Sequence, residues 1–178
     1  MNIRRAGPSD VSDIKTCVEA SLRATYAGLW TSEPLSAGDR DWPSAWVACV
    51  SDDLVGVGLS EEDRISDLWI HPASQGRGIG TQLLAALEKD IAARGFATAR
   101  LRCLEPNHKS RSFYVSRGWT EVRIYPHEKI PLNTVDMIKR RLCTLQTHSR
   151  RGFAGCLARK EAAPDLARFP SVEVPSHA

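Results

Sequence analysis

Between residues 65 and 95, an apolar run, a glycine-rich turn and an amphipathic segment follow one another along the chain. The apolar run, 65–70, ends before Pro72 and predicts a β-strand. The amphipathic segment opens at Thr81 and predicts a helix that Gly95 closes. Its large apolar residues recur at helical spacing: Leu83, Leu84, Leu87 and Ile91. The hydrophobic pattern therefore predicts a strand, a turn and a helix in that order.

The turn between that strand and that helix contains Gly76, Gly78 and Gly80. We expect these glycines to let the backbone turn tightly and approach a ligand, because none of them has a Cβ. Backbone N–H groups at a helix N-terminus favour an anion, and phosphate above all. The turn lacks the Gly-Lys-Ser/Thr of a P-loop and the final glycine of a dinucleotide-binding turn, so neither class of site fits. The alternative is an ordinary tight connection between a strand and a helix.

Shorter patterns on either side predict the remaining elements. One helix is predicted from residue 9 or 10 and another over 110–117, closed by Gly118. Residues 25–42 predict a short helix and an irregular loop. Strands are predicted at 2–5, 45–50, 54–60, 98–104, 119–125 and 135–142. The polar turn 51–53 joins two of these strands into a hairpin, and Gly56 and Gly58 indicate a bulge or a close backbone approach. The order predicts an α/β protein with a mixed sheet.

The composition fits one globular domain with an extension. Hydrophobic residues make up 42% and charged residues 25% of the 178 residues, which are ordinary values for a chain with a core. Because apolar periodicity fades after Leu142, we expect residues 1–142 to form the domain and 143–178 a poorly ordered extension. The net charge of +3 is small, so it neither demands nor excludes a nucleic-acid partner.

The spacing of the cysteines and the length of the apolar runs indicate the cellular compartment. The cysteines are odd in number, widely spaced and without a CxxC pair, which favours reduced thiols over disulfides or a zinc site. They are Cys17, Cys49, Cys103, Cys143 and Cys156. No apolar run approaches the roughly 18 residues of a membrane helix, and the N-terminus shows no signal-peptide pattern. We therefore expect a cytoplasmic protein that uses no metal.

Two motifs together carry a family resemblance. The first is Gln75-x-x-Gly78-x-Gly80, at the junction of the predicted strand and helix. The second lies downstream and consists of Asn107, Ser110, the pair Phe113-Tyr114 and the pair Gly118-Trp119. In order and spacing, the two motifs resemble those of the GNAT superfamily of acyl-CoA-dependent N-acetyltransferases. The resemblance covers about residues 2–142, is closest over 65–119, and leaves the extension outside.

The resemblance implies a GNAT fold, with a mixed, mostly antiparallel central sheet of about six to seven strands flanked by helices. It also implies an enzyme that moves an acetyl group from acetyl-CoA to a primary amine, by direct attack in a ternary complex. One alternative is a catalytically silent module that binds or senses acyl-CoA. Another is an enzyme that acetylates aminoacyl-tRNA, which the modest net charge argues against.

The resemblance also implies a binding site for the cofactor. The diphosphate would lie over residues 75–80 and the helix N-terminus, with Arg77 as an added charge contact. Residues 68–70 would offer backbone groups to the pantetheine arm, and a backbone N–H near Trp69 or Ile70 would stabilise the thioester oxygen. The implied cofactor-binding residues are Leu68, Trp69, Ile70, Gln75, Gly76, Arg77, Gly78, Ile79, Gly80, Thr81, Asn107 and Tyr114.

Acetyl transfer to an amine calls for an acid and a base. The resemblance implies Tyr114 as the general acid, which would protonate the departing thiolate; the alternative is a core aromatic. The acceptor amine must lose a proton, and the candidate general bases are Asp67, then Glu105, then His71. For Asp67 the alternative is a solvated carboxylate on a half-exposed strand.

The acceptor is not specified by these motifs. The variable loops 25–42 and 126–133 would build its groove, and carboxylates there favour a cationic amine, either a small molecule or a peptide. These carboxylates are Glu33, Asp39, Asp41 and Glu128. No membrane partner is expected, and self-association into a homodimer is left open.

Overall fold

A computed structural model of the protein describes residues 1–26, 37–128, 130–140 and 142. Its strands are β1 (Asn2–Arg5), β2 (Trp46–Val50), β3 (Asp53–Glu61), β4 (Arg64–Ile70), β5 (Thr98–Leu104), β6 (Thr120–Pro126) and β7 (Asn133–Arg140). Its α-helices are α1 (Val11–Tyr26), α2 (Ile79–Ala93) and α3 (His108–Val115). Short 3-10 turns span Pro8–Asp10, Trp42–Ser44 and Pro72–Ser74. In this part of the chain the elements follow the predicted order.

The strands form one seven-stranded sheet in the order β1-β2-β3-β4-β5-β7-β6. Every neighbouring pair is antiparallel except β4 and β5, which are parallel. The predicted α/β class and the mixed, mostly antiparallel sheet flanked by helices are confirmed. The hairpin of β2 and β3 is confirmed as well, with Val50 paired with Asp53 at its turn.

Apolar side chains pack on both faces of this sheet. On one face, α2 and α3 cover β5 and β7, with Leu87, Ile91, Val135 and Met137 fully buried between them. On the other face, Ile14 and Val18 of α1 pack against β2 and β3. The sheet is therefore held between helices, as the alternation of strands and helices predicts.

α2 lies unusually close to β3 because that strand has glycines where the helix crosses it. A Cβ on Gly56 would lie 2.8 Å from Ile70 Cδ1 and 2.9 Å from Leu83 Cδ1. A Cβ on Gly58 would lie 2.7 Å from Leu87 Cδ1. The predicted close approach at these two glycines is confirmed, with α2 side chains filling the space.

β4 and β5 separate soon after they meet. They pair only at Arg64 with Arg100 and at Ile65 with Leu101, although β4 stays paired with β3 as far as Ile70. The half of β4 that contains residues 68–70 therefore has no partner strand on its β5 side among the described residues.

The start of α2 differs from its prediction. The helix begins at Ile79, two residues before the predicted Thr81, because Gly78 adopts a left-handed conformation at its N-cap (φ +79°). Gly80 therefore lies inside the helix and does not form part of the turn. Gly95 (φ +93°) and Gly118 (φ +83°) follow the ends of α2 and α3 as predicted.

Some predictions fall on residues that the structure does not describe. Most of the loop 25–42, and all of the extension 143–178, lie outside the described residues, as does Glu33. Among the described residues, no helix combines the length and the apolar character needed to cross a membrane.

Candidate functional site

A cavity of about 650 Å³ opens where β4 separates from β5. Its walls are the end of β4, the glycine-rich turn, the first turn of α2 and one side of α3. All the residues expected to hold the cofactor line it except Arg77: Leu68, Trp69, Ile70, Gln75, Gly76, Gly78, Ile79, Gly80, Thr81, Asn107 and Tyr114. No aspartate or glutamate is among the described residues that line it. The cavity thus presents backbone N–H groups and cationic side chains with no opposing carboxylate.

The turn before α2 contains two glycines in the left-handed conformation. Gly76 (φ +76°) and Gly78 (φ +79°) both occupy the left-handed region, where a side chain would be strained. A Cβ at either position would meet no atom within 4 Å. The backbone conformation therefore favours glycine at both positions, whereas steric crowding does not require it. The space beside these glycines is open to a ligand.

Gly80 has a different role. It is helical, and a Cβ there would lie 3.4 Å from Phe113 Cζ and 3.6 Å from Ile70 Cγ1. Its lack of a side chain lets the ring of Phe113 pack against the first turn of α2. Gly76, Gly78 and Gly80 thus have two roles: the first two shape the turn, and Gly80 lets α3 pack close to it.

Hydrogen bonds fix the end of β4 to its surroundings. The Ile70 carbonyl accepts from Ser21 Oγ at 3.0 Å and from Gln75 Nε2 at 3.2 Å. Gln75 Oε1 in turn accepts from Lys109 Nζ at 2.5 Å. The first residue of the motif therefore links β4 to α3 across the mouth of the cavity.

Asn107 begins α3 and forms part of the cavity wall. It is the N-cap residue, and its Oδ1 accepts from the Ser110 N–H at 3.1 Å. Its Nδ2 lies 3.5 Å from the Tyr26 hydroxyl. Because the cap uses Oδ1, the Nδ2 group is the part of this side chain that can turn towards a ligand.

Tyr114 lies in the wall formed by α3, and its residue is 8% exposed. Its ring makes edge contacts with Phe113 and Trp119, with centroid separations of 5.2 and 5.8 Å. Burial raises the pKa of its hydroxyl above the ordinary value, because the phenolate would lose its hydration. The hydroxyl therefore stays protonated and remains a hydrogen-bond donor at neutral pH.

The candidate bases lie outside the cavity wall. The Asp67 carboxylate is 5% exposed and lies 3.0 Å from Arg40 Nε, and it accepts from Trp69 Nε1 at 3.0 Å. It is thus a buried, paired carboxylate, and the alternative of a solvated one is wrong. Glu105 Oε2 accepts from Asn133 Nδ2 at 2.7 Å. His71 lines a separate cavity of about 220 Å³ on the α1 side.

The carboxylates expected to attract an acceptor also lie away from this cavity, among those that the structure describes. Asp39 Oδ1 is 3.9 Å from Lys15 Nζ on an exposed surface. Asp41 accepts a hydrogen bond from Ser44 Oγ, and Glu128 lies between β6 and β7. No group of three or more metal-ligating side chains is found in the described part of the chain.

Sequence reasoning missed two cations of the cavity wall, Lys109 and Arg117. It selected Arg77 instead, which is exposed and does not line the cavity. The signal was present in the sequence: both missed residues lie on or next to the α3 segment that contains Tyr114. Their distance along the chain from the glycine-rich turn concealed their proximity to it.

Comparisons with known proteins give a family match and several similar solved structures. A model of the acetyltransferase (GNAT) family matches residues 16–119. A GCN5-related N-acetyltransferase from Rhodopseudomonas palustris is 25% identical, with a TM-score of 0.67, over 78% of this chain and 94% of that one.

Two further solved structures share the fold at lower identity. The PaiA N-acetyltransferase of Thermoplasma acidophilum, solved with coenzyme A, is 20% identical with a TM-score of 0.63, over 78% of this chain and 98% of that one. The ribosomal-protein-S18-alanine N-acetyltransferase of Escherichia coli is 17% identical with a TM-score of 0.59, over 83% and 97%. No curated protein matches the sequence.

Proposed function

The chain belongs to the acetyltransferase (GNAT) family, and from that premise we propose that it transfers an acetyl group from acetyl-CoA to a primary amine. The observation that carries the proposal is the single cavity wall that joins the glycine-rich turn, the open edge of β4 and Tyr114. A phosphate site, an extended groove and a proton donor are the three features that an acyl-CoA ligand and its thioester require.

The diphosphate of acetyl-CoA fits the turn at residues 76–80. The left-handed glycines shape the turn, and the positive end of α2 adds its dipole. The absence of carboxylates among the described residues of the wall favours an anion there. Side chains matter less at this point than the backbone does.

The pantetheine arm fits the edge of β4 that faces away from β3. The His71 N–H donates to Val55 O of β3 at 2.9 Å. Because amide directions alternate along a strand, the Ile70 N–H is directed towards the open edge. This direction favours the Ile70 N–H over the Trp69 N–H as the donor that stabilises the charge developing on the thioester oxygen.

Tyr114 is proposed as the donor to the departing thiolate. Its hydroxyl is protonated at neutral pH because burial raises its pKa. The same shift makes the phenol a weaker acid, so Tyr114 keeps its proton and contributes a hydrogen bond that stabilises the thiolate, which takes up a proton from solvent as CoA leaves. Asn107, at the start of the same helix, is proposed as a hydrogen-bond partner of the pantetheine.

The general base is proposed to be Asp67, acting through water, with Glu105 and His71 as the other candidates. The contacts with Arg40 and Trp69 hold the Asp67 carboxylate in place. A base is needed because an unperturbed alkyl amine has a pKa of about 10.4 and is mostly protonated at pH 7.

Direct attack in a ternary complex is the proposed route, without an acetylated cysteine. Cys17, Cys49 and Cys103 do not line the cavity. Burial raises the pKa values of Cys17 and Cys103 to about 11, so neither thiol is an activated nucleophile. The acceptor class stays a primary amine on a small molecule or a peptide.

The test is release of free thiol from acetyl-CoA in the presence of a panel of amines, with a mass shift of the acceptor as the second readout. The proposal predicts release well above background hydrolysis for at least one class of amine. Binding of acetyl-CoA with no release above hydrolysis for any amine would contradict it and would indicate the silent binding module instead.

A further inference from the structure

Two cations approach the glycine-rich turn from the α3 side, one at each end of the turn. Lys109 Nζ contacts Gln75 Oε1 at 2.5 Å, directly before Gly76. Arg117 donates to Thr81 Oγ1, directly after Gly80, from Nη2 at 2.7 Å and from Nε at 3.1 Å. Both cations line the cavity. A ligand bound across the turn would therefore lie between two positive charges.

Neither cation has an acidic partner among the described residues. Within the described part of the chain, Lys109 Nζ hydrogen-bonds the amide oxygen of Gln75. Arg117 donates to Thr81, to the Phe113 carbonyl at 2.7 Å and to Ser116 Oγ at 2.9 Å, all of them neutral oxygens. Charge-assisted hydrogen bonds to an anion are about twice as strong as those to neutral acceptors. Both side chains therefore gain by exchanging a neutral oxygen for a phosphate oxygen.

Arg117 is held in position for such an exchange. Its guanidinium carbon lies 3.8 Å from the centroid of the Phe113 ring, and its bond to the Phe113 carbonyl ties it to α3. Phe113 in turn packs against Gly80. Because these contacts persist if the bond to Thr81 is exchanged, the guanidinium loses little conformational freedom when a ligand binds.

We infer that Lys109 and Arg117 bind the diphosphate of acyl-CoA from the two ends of the turn and determine that the donor must carry this charge. The inference rests on the proposed function and adds residues to its site. It assigns the charge contact to α3 and not to Arg77, the cation inside the motif, because Arg77 is exposed and lies outside the cavity wall.

The test measures the affinity of the full chain for CoA after neutralising one cation at a time. Lys109→Gln and Arg117→Gln are each expected to weaken binding about tenfold or more, as the loss of a hydrogen bond to a charged group does. Lys89→Gln is the matched control: it removes the same charge from the exposed face of α2, outside the cavity wall, and a change below about threefold is expected.

Two further measurements separate charge from structure. The affinity of the wild-type chain should fall with added salt, and each α3 variant should reduce that dependence, since salt screens the charge contact that the variant lacks. With dephospho-CoA, which keeps the diphosphate and lacks the 3′-phosphate, both variants should lose as much affinity as with CoA. Arg117→Lys retains the charge and should recover part of the loss.

The outcomes distinguish this inference from the proposed function. Wild-type binding of CoA combined with Lys109→Gln and Arg117→Gln losses no larger than that of Lys89→Gln would overturn the inference alone. A loss that disappears with dephospho-CoA would also overturn it, because the cations would then contact the 3′-phosphate. Failure of the folded wild-type chain to bind CoA would overturn the proposed function and the inference together.

Discussion

Burial determines what Tyr114 can do. Its ring contacts two other aromatic rings on one side, and its residue forms part of the cavity wall on the other. The raised pKa keeps the hydroxyl protonated, which suits a donor to a leaving thiolate and excludes the residue as a base. The role predicted from the sequence motif therefore has a physical basis, although the role itself stays a proposal.

Replacing Tyr114 with Phe removes the hydroxyl and keeps the ring. We expect kcat to fall by roughly a hundredfold, the lower range for loss of a general acid, while the affinity for CoA changes little. Steady-state kinetics and CoA titration measure the two quantities. Tyr125→Phe is the control, because that hydroxyl hydrogen-bonds Asp136 on β7. A Tyr114→Phe enzyme with wild-type kcat would remove the proposed role.

The raised pKa of Tyr114 also predicts a pH dependence. A group whose pKa lies above its ordinary value of about 10 stays protonated at lower pH, so ionisation of this hydroxyl should not reduce kcat below pH 10. The pH profile of kcat for the wild type and for Tyr114→Phe tests this. An alkaline decline centred below pH 9 that is present in the wild type and absent from the variant would contradict it.

At the scale of elements, the junction between the glycine-rich turn and α2 both begins the helix and leaves space for a ligand. Gly78 has the left-handed conformation that ends the turn and begins the helix, and its missing side chain leaves open space on the ligand side. The divergence of β4 from β5 then extends that space along the strand edge. The proposed phosphate site and its groove thus follow from the left-handed glycines of the turn and from the short pairing of β4 with β5.

Gly78→Glu should abolish CoA binding while the protein still folds. The new side chain adds bulk and a negative charge beside the diphosphate, and its Cβ meets no atom within 4 Å. We expect only about 1–2 kcal/mol of backbone strain from the positive φ. Calorimetric titration and thermal unfolding measure the two effects.

Gly95→Glu is the matched control for that substitution. Gly95 follows the other end of α2, also has a positive φ (+93°), and also has open space around it. It should therefore show similar strain and unchanged CoA affinity. Equal losses of affinity in the two variants would mean that the glycine turn is not the binding site.

At the scale of the whole molecule, ion pairs join different elements of the fold. Arg4 of β1 pairs with Asp10 at 2.7 Å, and Arg111 of α3 pairs with Glu121 of β6 at 2.7 Å. Each arginine lowers the pKa of its carboxyl partner, which reaches about 2 for Asp10. These pairs stabilise the folded chain only while the carboxylates are ionised.

The free energy of unfolding should therefore fall as the pH decreases from about 4 towards 2. The sign follows from linkage: Asp10 has a lower pKa in the folded chain than its ordinary value of 3.8, so the unfolded chain takes up protons first. Asp10→Asn should make the fall shallower over this interval. Denaturant titrations at several pH values measure the free energy of unfolding of the wild type and of Asp10→Asn. An equally steep fall with decreasing pH in both proteins would contradict the role assigned to Asp10.

The overall fold could be read from the sequence because each element carries its own local signal. The periodicity of α2, the hairpin turn after Val50 and the closing glycines at 95 and 118 all act within a few residues. The predicted start of α2 at Thr81 is wrong because Gly80 is helical and does not belong to the turn. Its lack of a side chain instead allows the contact with Phe113.

The parts of the candidate site that the sequence did not predict depend on contacts between residues far apart in the chain. The burial of Asp67 with Arg40, and the approach of Lys109 and Arg117 to the turn, join residues 27 to 36 positions apart. No local pattern specifies such pairs. The motif therefore predicts the backbone of the candidate site, whereas the cations of the cavity wall are found only in the folded chain.

The central claim is that the turn at residues 75–80 binds the diphosphate of coenzyme A. Titration of CoA into the purified, folded chain by calorimetry at two temperatures tests it most directly. We predict saturable binding of one CoA per chain, weakened by added salt and lost in Gly78→Glu. A folded wild-type chain that shows no binding at either temperature would contradict the account.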